Sequence, residues 1–136
     1  MREVEVSRFV PAPPRAVERA LTPEAVVERE GSFTVREVSD EGDATLVVAG
    51  ARGLELTLRF EERPDGLRYT QAGDAGPFDA MTTELTVASE DEGSRVTARS
   101  AVSLGLPVPA LTDRLAGWKR RGELERLLDG VAETAT

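Results

Sequence analysis

Apolar and polar positions alternate along most of this chain, and the two ends of the alternation are marked by helical spacing. Residues 2–10 place Val4, Val6 and Val10 against Glu3, Glu5 and Ser7, the period of a half-buried strand. Pro11, Pro13 and Pro14 stop it. Ala16, Val17, Ala20 and Leu21 then recur at helical spacing, and Thr22-Pro23-Glu24 restarts a second short helix with a hydroxyl cap, a first-turn proline and an acid at the positive end of the dipole. Gly31 ends it.

From Gly31 to Leu104 the period is that of strands throughout. Asp40-Glu41-Gly42-Asp43, Arg63-Pro64-Asp65-Gly66 and Glu90-Asp91-Glu92-Gly93 carry turn chemistry, and Gly50–Gly53 and Gly73–Pro77 break the chain again. Leu54, Leu56, Leu58 and Phe60 share one face of the clearest strand, with Glu55, Thr57, Arg59 and Glu61 on the other. Short turns between successive strands imply an antiparallel meander. Pro107 and Pro109 open a helix expected from about Val108 to about Glu133. Its first half places Leu111, Leu115 and Trp118 on one stripe, extended by the small Gly122; its second half uses Leu124, Leu127, Leu128 and Val131 on a different side of the cylinder. A bend near Gly122, or two different neighbours, would reconcile the halves.

The expected fold is α+β: a curved antiparallel sheet of about seven strands in the order β-α-α-β6-α, gripping a long C-terminal helix. A sheet with one apolar face needs a cover, and only the last helix is large enough to provide it. The two short helices would carry the chain from the first strand to the far edge of the meander. No repeat or linker interrupts the pattern, so residues 1–136 form one domain.

Composition narrows the chemistry. With 40% hydrophobic and 31% charged residues the chain is in the globular range. No apolar run approaches the roughly 20 residues needed to span a bilayer, and the first residues lack a signal-peptide core, so the cytoplasm is expected. The absence of cysteine excludes disulfides and thiolate sites, and the absence of histidine removes the usual general base and the commonest metal ligand. No cofactor and no metal site is expected; the acid-rich turns lack the ligand ladder of a calcium loop. The net charge of −8, with Lys119 the only lysine, disfavours nucleic acid and suits a protein adapted to high internal salt. No phosphate loop, dinucleotide fingerprint, nucleophile elbow or zinc spacing is present.

The strand faces offer a better lead. If Leu67 points inward, so do Tyr69 and Gln71; Met81, Thr83, Leu85 and Val87 share the inner face of the next strand, and Val96, Ala98, Ser100 and Val102 that of the last. Gln71, Thr83 and Ser100 should then cluster at one end of the sheet, beneath Leu111, Leu115 and Trp118. No acid or lysine falls on these faces. Apolar walls with a few converging polar groups describe a small-molecule pocket, for which Tyr69, Gln71, Met81, Thr83, Ser100, Leu111, Leu115 and Trp118 are the candidate lining residues. The same hydroxyls could simply bond the backbone or ordered water, and Trp118 could anchor the core. Lys119-Arg120-Arg121 reads as a basic run on a solvated helix face.

Val4–Val10 running into Pro11-Ala12-Pro13-Pro14-Arg15-Ala16-Val17 is similar to the strand-then-"AP-x-x-V" entry of the SRPBCC, or START-like, helix-grip superfamily, with its polyketide cyclase/dehydrase and lipid-transport branch. Trp118–Leu128 resembles that superfamily's amphipathic last helix, and the likeness spans the whole chain. It implies a fold and a cavity, with no universal catalytic motif. Three functions follow as expectations. The first is a binding protein holding a small, mostly apolar ligand between sheet and last helix. The second is a polyketide cyclase or hydratase that polarises carbonyls through Tyr69, Gln71 or Ser100. The third is a protein-interaction domain in which Leu124, Leu127, Leu128 and Val131, left exposed, form a homodimer rather than a monomer.

Overall fold

The computed structural model describes residues 2–73, 80–103 and 109–136, with residues 109–113 described by their backbone alone. The strands are β1 (Arg2–Val10), β2 (Thr34–Glu41), β3 (Ala44–Ala51), β4 (Leu54–Arg63), β5 (Gly66–Ala72), β6 (Ala80–Glu90) and β7 (Gly93–Ser103). The helices are α1 (Pro14–Ala20), α2 (Pro23–Glu30) and α3 (Pro109–Ala135). All seven strands join one antiparallel sheet in the order β1-β7-β6-β5-β4-β3-β2. Consecutive strands from β2 to β7 are neighbours, and β1 pairs with β7. The helical corner α1–α2 therefore spans from one edge of the sheet to the other, as the element order implied.

Local chemistry sets the boundaries. The Thr22 hydroxyl accepts from the Ala25 amide at 3.2 Å, Pro23 occupies the first turn, and Gly31 closes α2 in the left-handed region at φ 83°. Gly66 is required for a different reason: a Cβ there would stand 1.8 Å from the Leu85 carbonyl oxygen, so β5 and β6 can approach only without a side chain. The β6–β7 turn is made by two acids, Asp91 and Glu92, both at positive φ.

The two edges of the sheet differ. β1 lies under α3, whereas β2 is exposed along nearly its whole length and carries a register shift between Val35 and Glu37. The core lies between the inner face and the helices, with Val10, Val17, Val26, Phe60, Leu85 and Val96 among its fully buried members. Phe60 and Tyr69 stack across β4 and β5 with ring centroids 4.5 Å apart.

The register of α3 departs from the expected one. Among the described residues its buried positions are Ala116, Gly117, Arg120, Glu123, Leu124, Leu127, Leu128, Val131 and Ala132, one stripe at spacings of three and four with no change of side at Gly122. The apolar second half fixes the phase of the whole rod, and Trp118 then lies about 200° around the axis from Arg120. Trp118 is consequently 78% exposed and Leu115 59% exposed; neither covers the sheet. The side chain of Leu111 lies outside the described residues. The stripe Leu124, Leu127, Leu128 and Val131 is fully buried against the rest of the fold, so it is not the exposed face that was expected. Among the described residues no helix is long and apolar enough to cross a membrane.

Candidate functional site

Strand register brings three of the expected polar residues into one row. Tyr69 pairs with Thr83 and Thr83 with Ser100, all on the inner face, and the row ends at Val4. Thr83 and Ser100 share a hydrogen bond at 2.7 Å, and the Thr83 hydroxyl also reaches the Met81 sulfur at 3.3 Å. Gln71 stands one row away, half-buried and opposite Leu58 on β4, so the third member of the row is Tyr69. Met81 is buried beside Thr83.

What covers this row is a guanidinium. Arg120 descends from α3 with only 3% of its surface exposed, and its fork is fully used. Nε donates to Ser100 Oγ at 3.1 Å; Nη1 donates to Glu30 Oε1 at 2.6 Å and to Glu123 Oε1 at 3.1 Å. Nη2 donates to the Tyr69 hydroxyl at 2.5 Å and to Thr83 Oγ1 at 2.8 Å. The Tyr69 hydroxyl in turn donates to Glu30 Oε2. Glu30 arrives from the last residue of α2 and Glu123 from one turn further along α3, both buried. Arg120 also lies over the Tyr69 ring, 5.7 Å from its centroid.

Electrostatics fixes the protonation of the two groups at its centre. Burial is the largest influence on Tyr69 and pushes its hydroxyl far above the ordinary phenol range; the Glu30 charge reinforces this and Arg120 opposes it. For Arg120 burial is again the largest influence and works against the charge, but Glu30, Tyr69 and Glu123 together outweigh it, and the cation is held well above its usual range. The result is a neutral phenol, a permanent cation and two carboxylates enclosed together. Outside the cluster, Lys119 reaches Glu123 Oε2 at 3.4 Å from the rim.

Of the eight candidate residues, Tyr69, Met81, Thr83 and Ser100 meet at this cluster. Gln71 flanks it, and Leu115 and Trp118 point to solvent. Arg120, Glu30 and Glu123 were missed, and with them the inward-facing acids whose absence had been expected. The basic run 119–121 is not uniformly solvated: its middle residue is buried. The available signal was periodicity, since Arg120 stands four residues after Ala116 and four before Leu124, on the phase of the buried stripe. At this level the interior is filled by the Arg120 side chain. The described clefts lie elsewhere. One of about 720 Å³ opens between the α1–α2 corner and the β2–β3 end, lined by Glu18, Leu21, Asp43 and Phe60 among others. A second, of about 550 Å³, lies between Phe33, Leu54, Arg52 and Lys119, and a third, of about 480 Å³, lies along Trp118, Arg121 and Arg126. Among the described residues no group of three or more acids is placed to hold a metal ion.

No family model matches the chain, and no curated protein matches it. Solved structures do. A Thermus thermophilus protein, TTHA0849, superposes with a TM-score of 0.76 at 26% identity over 98% of this chain and 97% of that one. The START superfamily protein of Mycobacterium smegmatis gives 0.68 at 15% identity over 98% and 99%. The chain has the START-like helix-grip fold. A third helix-grip structure, the Zhui aromatase/cyclase of a Streptomyces species, gives 0.72 at 18% identity over 98% of this chain and 93% of that one. The last two likenesses concern the fold alone; what this helix-grip domain does must be argued from its own residues.

Proposed function

We propose that this helix-grip domain is a binding protein that holds a small, mostly apolar ligand between the sheet and the first half of α3, with the Arg120 cluster as its polar floor. The observation that supports the reading is the cluster itself. Replacing a buried ion-pair network by packed apolar side chains is often neutral or stabilising, so packing alone gives little reason to build one. Here six polar groups from three strands and two helices are assembled at the interface where the fold would admit a ligand. Because every N–H of Arg120 is already engaged, the cluster acts as a preorganised wall, and the ligand would meet that wall at its apolar margin, beside Met81. Two carboxylates against one enclosed cation also bias the site towards neutral ligands over anionic ones.

Native mass spectrometry and thermal shift with a panel of neutral lipids, fatty acids and aromatic ketones test this. The expected outcome is retention of one neutral ligand, lost on Met81→Trp, which sets a bulkier side chain next to Thr83. If no neutral compound binds, or if Met81→Trp binds as well as the parent chain, the reading fails.

A second reading is an aromatase/cyclase activity, favoured by the pairing of a protonated Tyr69 with the Glu30 carboxylate. A phenol that stays protonated can polarise a ketone oxygen while a carboxylate accepts a neighbouring proton. Formation of a cyclised product from a linear poly-β-ketone, lost in Tyr69→Phe, would favour it over simple binding.

A further inference from the structure

The first half of α3 also carries something the interior does not use. Among the described residues Trp118 and Leu115 are the two most exposed large hydrophobics, three positions apart and therefore neighbours on one side of the helix. The chain as a whole carries 25 acids against 17 bases, yet the cleft along Trp118 and the one next to it, which share Lys119, reverse that balance: Lys119, Arg121 and Arg126 line the first against the single acid Glu125, and Arg52 and Lys119 line the second. The bonds holding two of these cations leave their charge uncompensated. Arg121 Nη1 donates to the Glu5 carbonyl oxygen at 3.3 Å and Arg126 Nε to the Glu30 carbonyl oxygen at 2.9 Å. The indole itself is 78% exposed and so stands largely clear of its neighbours.

We infer that this face docks on an anionic lipid bilayer, with Trp118 and Leu115 entering the headgroup boundary and Arg52, Lys119, Arg121 and Arg126 facing the lipid phosphates. A protruding indole and a leucine flanked by cations suit a soft, negatively charged interface, where indoles settle at headgroup depth. A preformed protein partner would instead need a pocket to receive the ring, and a second copy of this acidic chain would bring mostly repulsion. The face lies on the outer side of the same helix whose inner side carries Arg120; Lys119 meets the cluster at the Glu123 carboxylate, 3.4 Å away, and the docking does not depend on the ligand reading.

Trp118 is the only tryptophan in the chain, so its emission reports on this face alone. The test compares the full chain with phosphatidylcholine vesicles and with vesicles containing phosphatidylglycerol at low ionic strength, by co-sedimentation and by emission wavelength. Expected are sedimentation and a blue shift with the anionic vesicles only. Lys119→Glu with Arg121→Glu should weaken that binding by roughly thirtyfold or more, since each juxtamembrane cation contributes about fivefold. Trp118→Ala should weaken it by about tenfold in the sedimentation assay. All three positions are exposed, and far-ultraviolet dichroism checks that the variants fold. Failure to sediment with anionic vesicles, equal binding to neutral ones, indifference to the substitutions, or a blue shift that follows protein concentration without lipid would each overturn the assignment.

Discussion

Replacing Arg120 by methionine removes the one cation that five polar groups share, and the structure sets the size of the effect. Methionine fills most of the volume, so the loss is electrostatic. Among the described residues Glu30, 9% exposed, keeps the Tyr69 hydroxyl as its side-chain partner; Glu123 retains Lys119 at 3.4 Å, but that ammonium is 64% exposed and screened by water. Breaking a buried pair by removing one partner costs about 3–5 kcal/mol. Against a typical total of about 5–15 kcal/mol, that is a large share, and it corresponds to a fall in Tm of roughly 10–20 °C for a domain of this size. Adding Glu30→Gln to the variant should recover part of the loss, because the amide removes the uncompensated buried charge. Urea unfolding of the parent, the single and the double variant reads both effects. A deficit below ~1 kcal/mol, or one that Glu30→Gln does not reduce, would refute the account of Arg120 as a buried counter-ion.

Two further outcomes follow from single groups. Tyr69 is the only tyrosine, so near-ultraviolet phenolate absorbance follows it alone: in the native protein it should not ionise where the urea-unfolded chain does, near pH ~10, and only unfolding should release the signal. Because folding raises this pKa, the associated stability is complete below ~10 and falls by about 1.4 kcal/mol per pH unit above it; a native titration near 10 would contradict the buried placement. Gly66→Ala should destabilise by roughly 2–4 kcal/mol in urea titrations, because its Cβ would meet the Leu85 carbonyl rather than a movable side chain; a change within ~0.5 kcal/mol would show that β5 and β6 separate easily.

The sheet was legible because its signals are local. Alternation in β1 and β4, the Thr22 cap, the Gly31 stop and the acidic turns each act within a few residues, and together they specify the strand order. Three members of the inward polar row could likewise be read from side-chain alternation alone. The cluster that organises them could not, because its bonds span 90 residues from Arg120 to Glu30, 51 to Tyr69 and 37 to Thr83. A charged residue is assigned to solvent unless a partner is known, and these partners become neighbours only after the sheet has closed beneath α3. The same bias misplaced Trp118 and Leu115: read in isolation, an apolar stripe in the first half of α3 outranks a phase that runs through Arg120 and Glu123. The longer run of buried leucines further along settles the competition, since a straight helix presents one phase along its length.

The open side of β2 has a bearing on how this molecule behaves in a crowded solution. A bare strand offers unpaired amides and carbonyls to any other chain, which is the usual starting point of ordered aggregation. Here that edge is interrupted by the irregularity between Val35 and Glu37 and lined by Glu37, Asp40 and Glu41, so a second copy approaching it meets broken spacing and like charge. The acids at this margin and the break in its register act together as a guard against fibre growth.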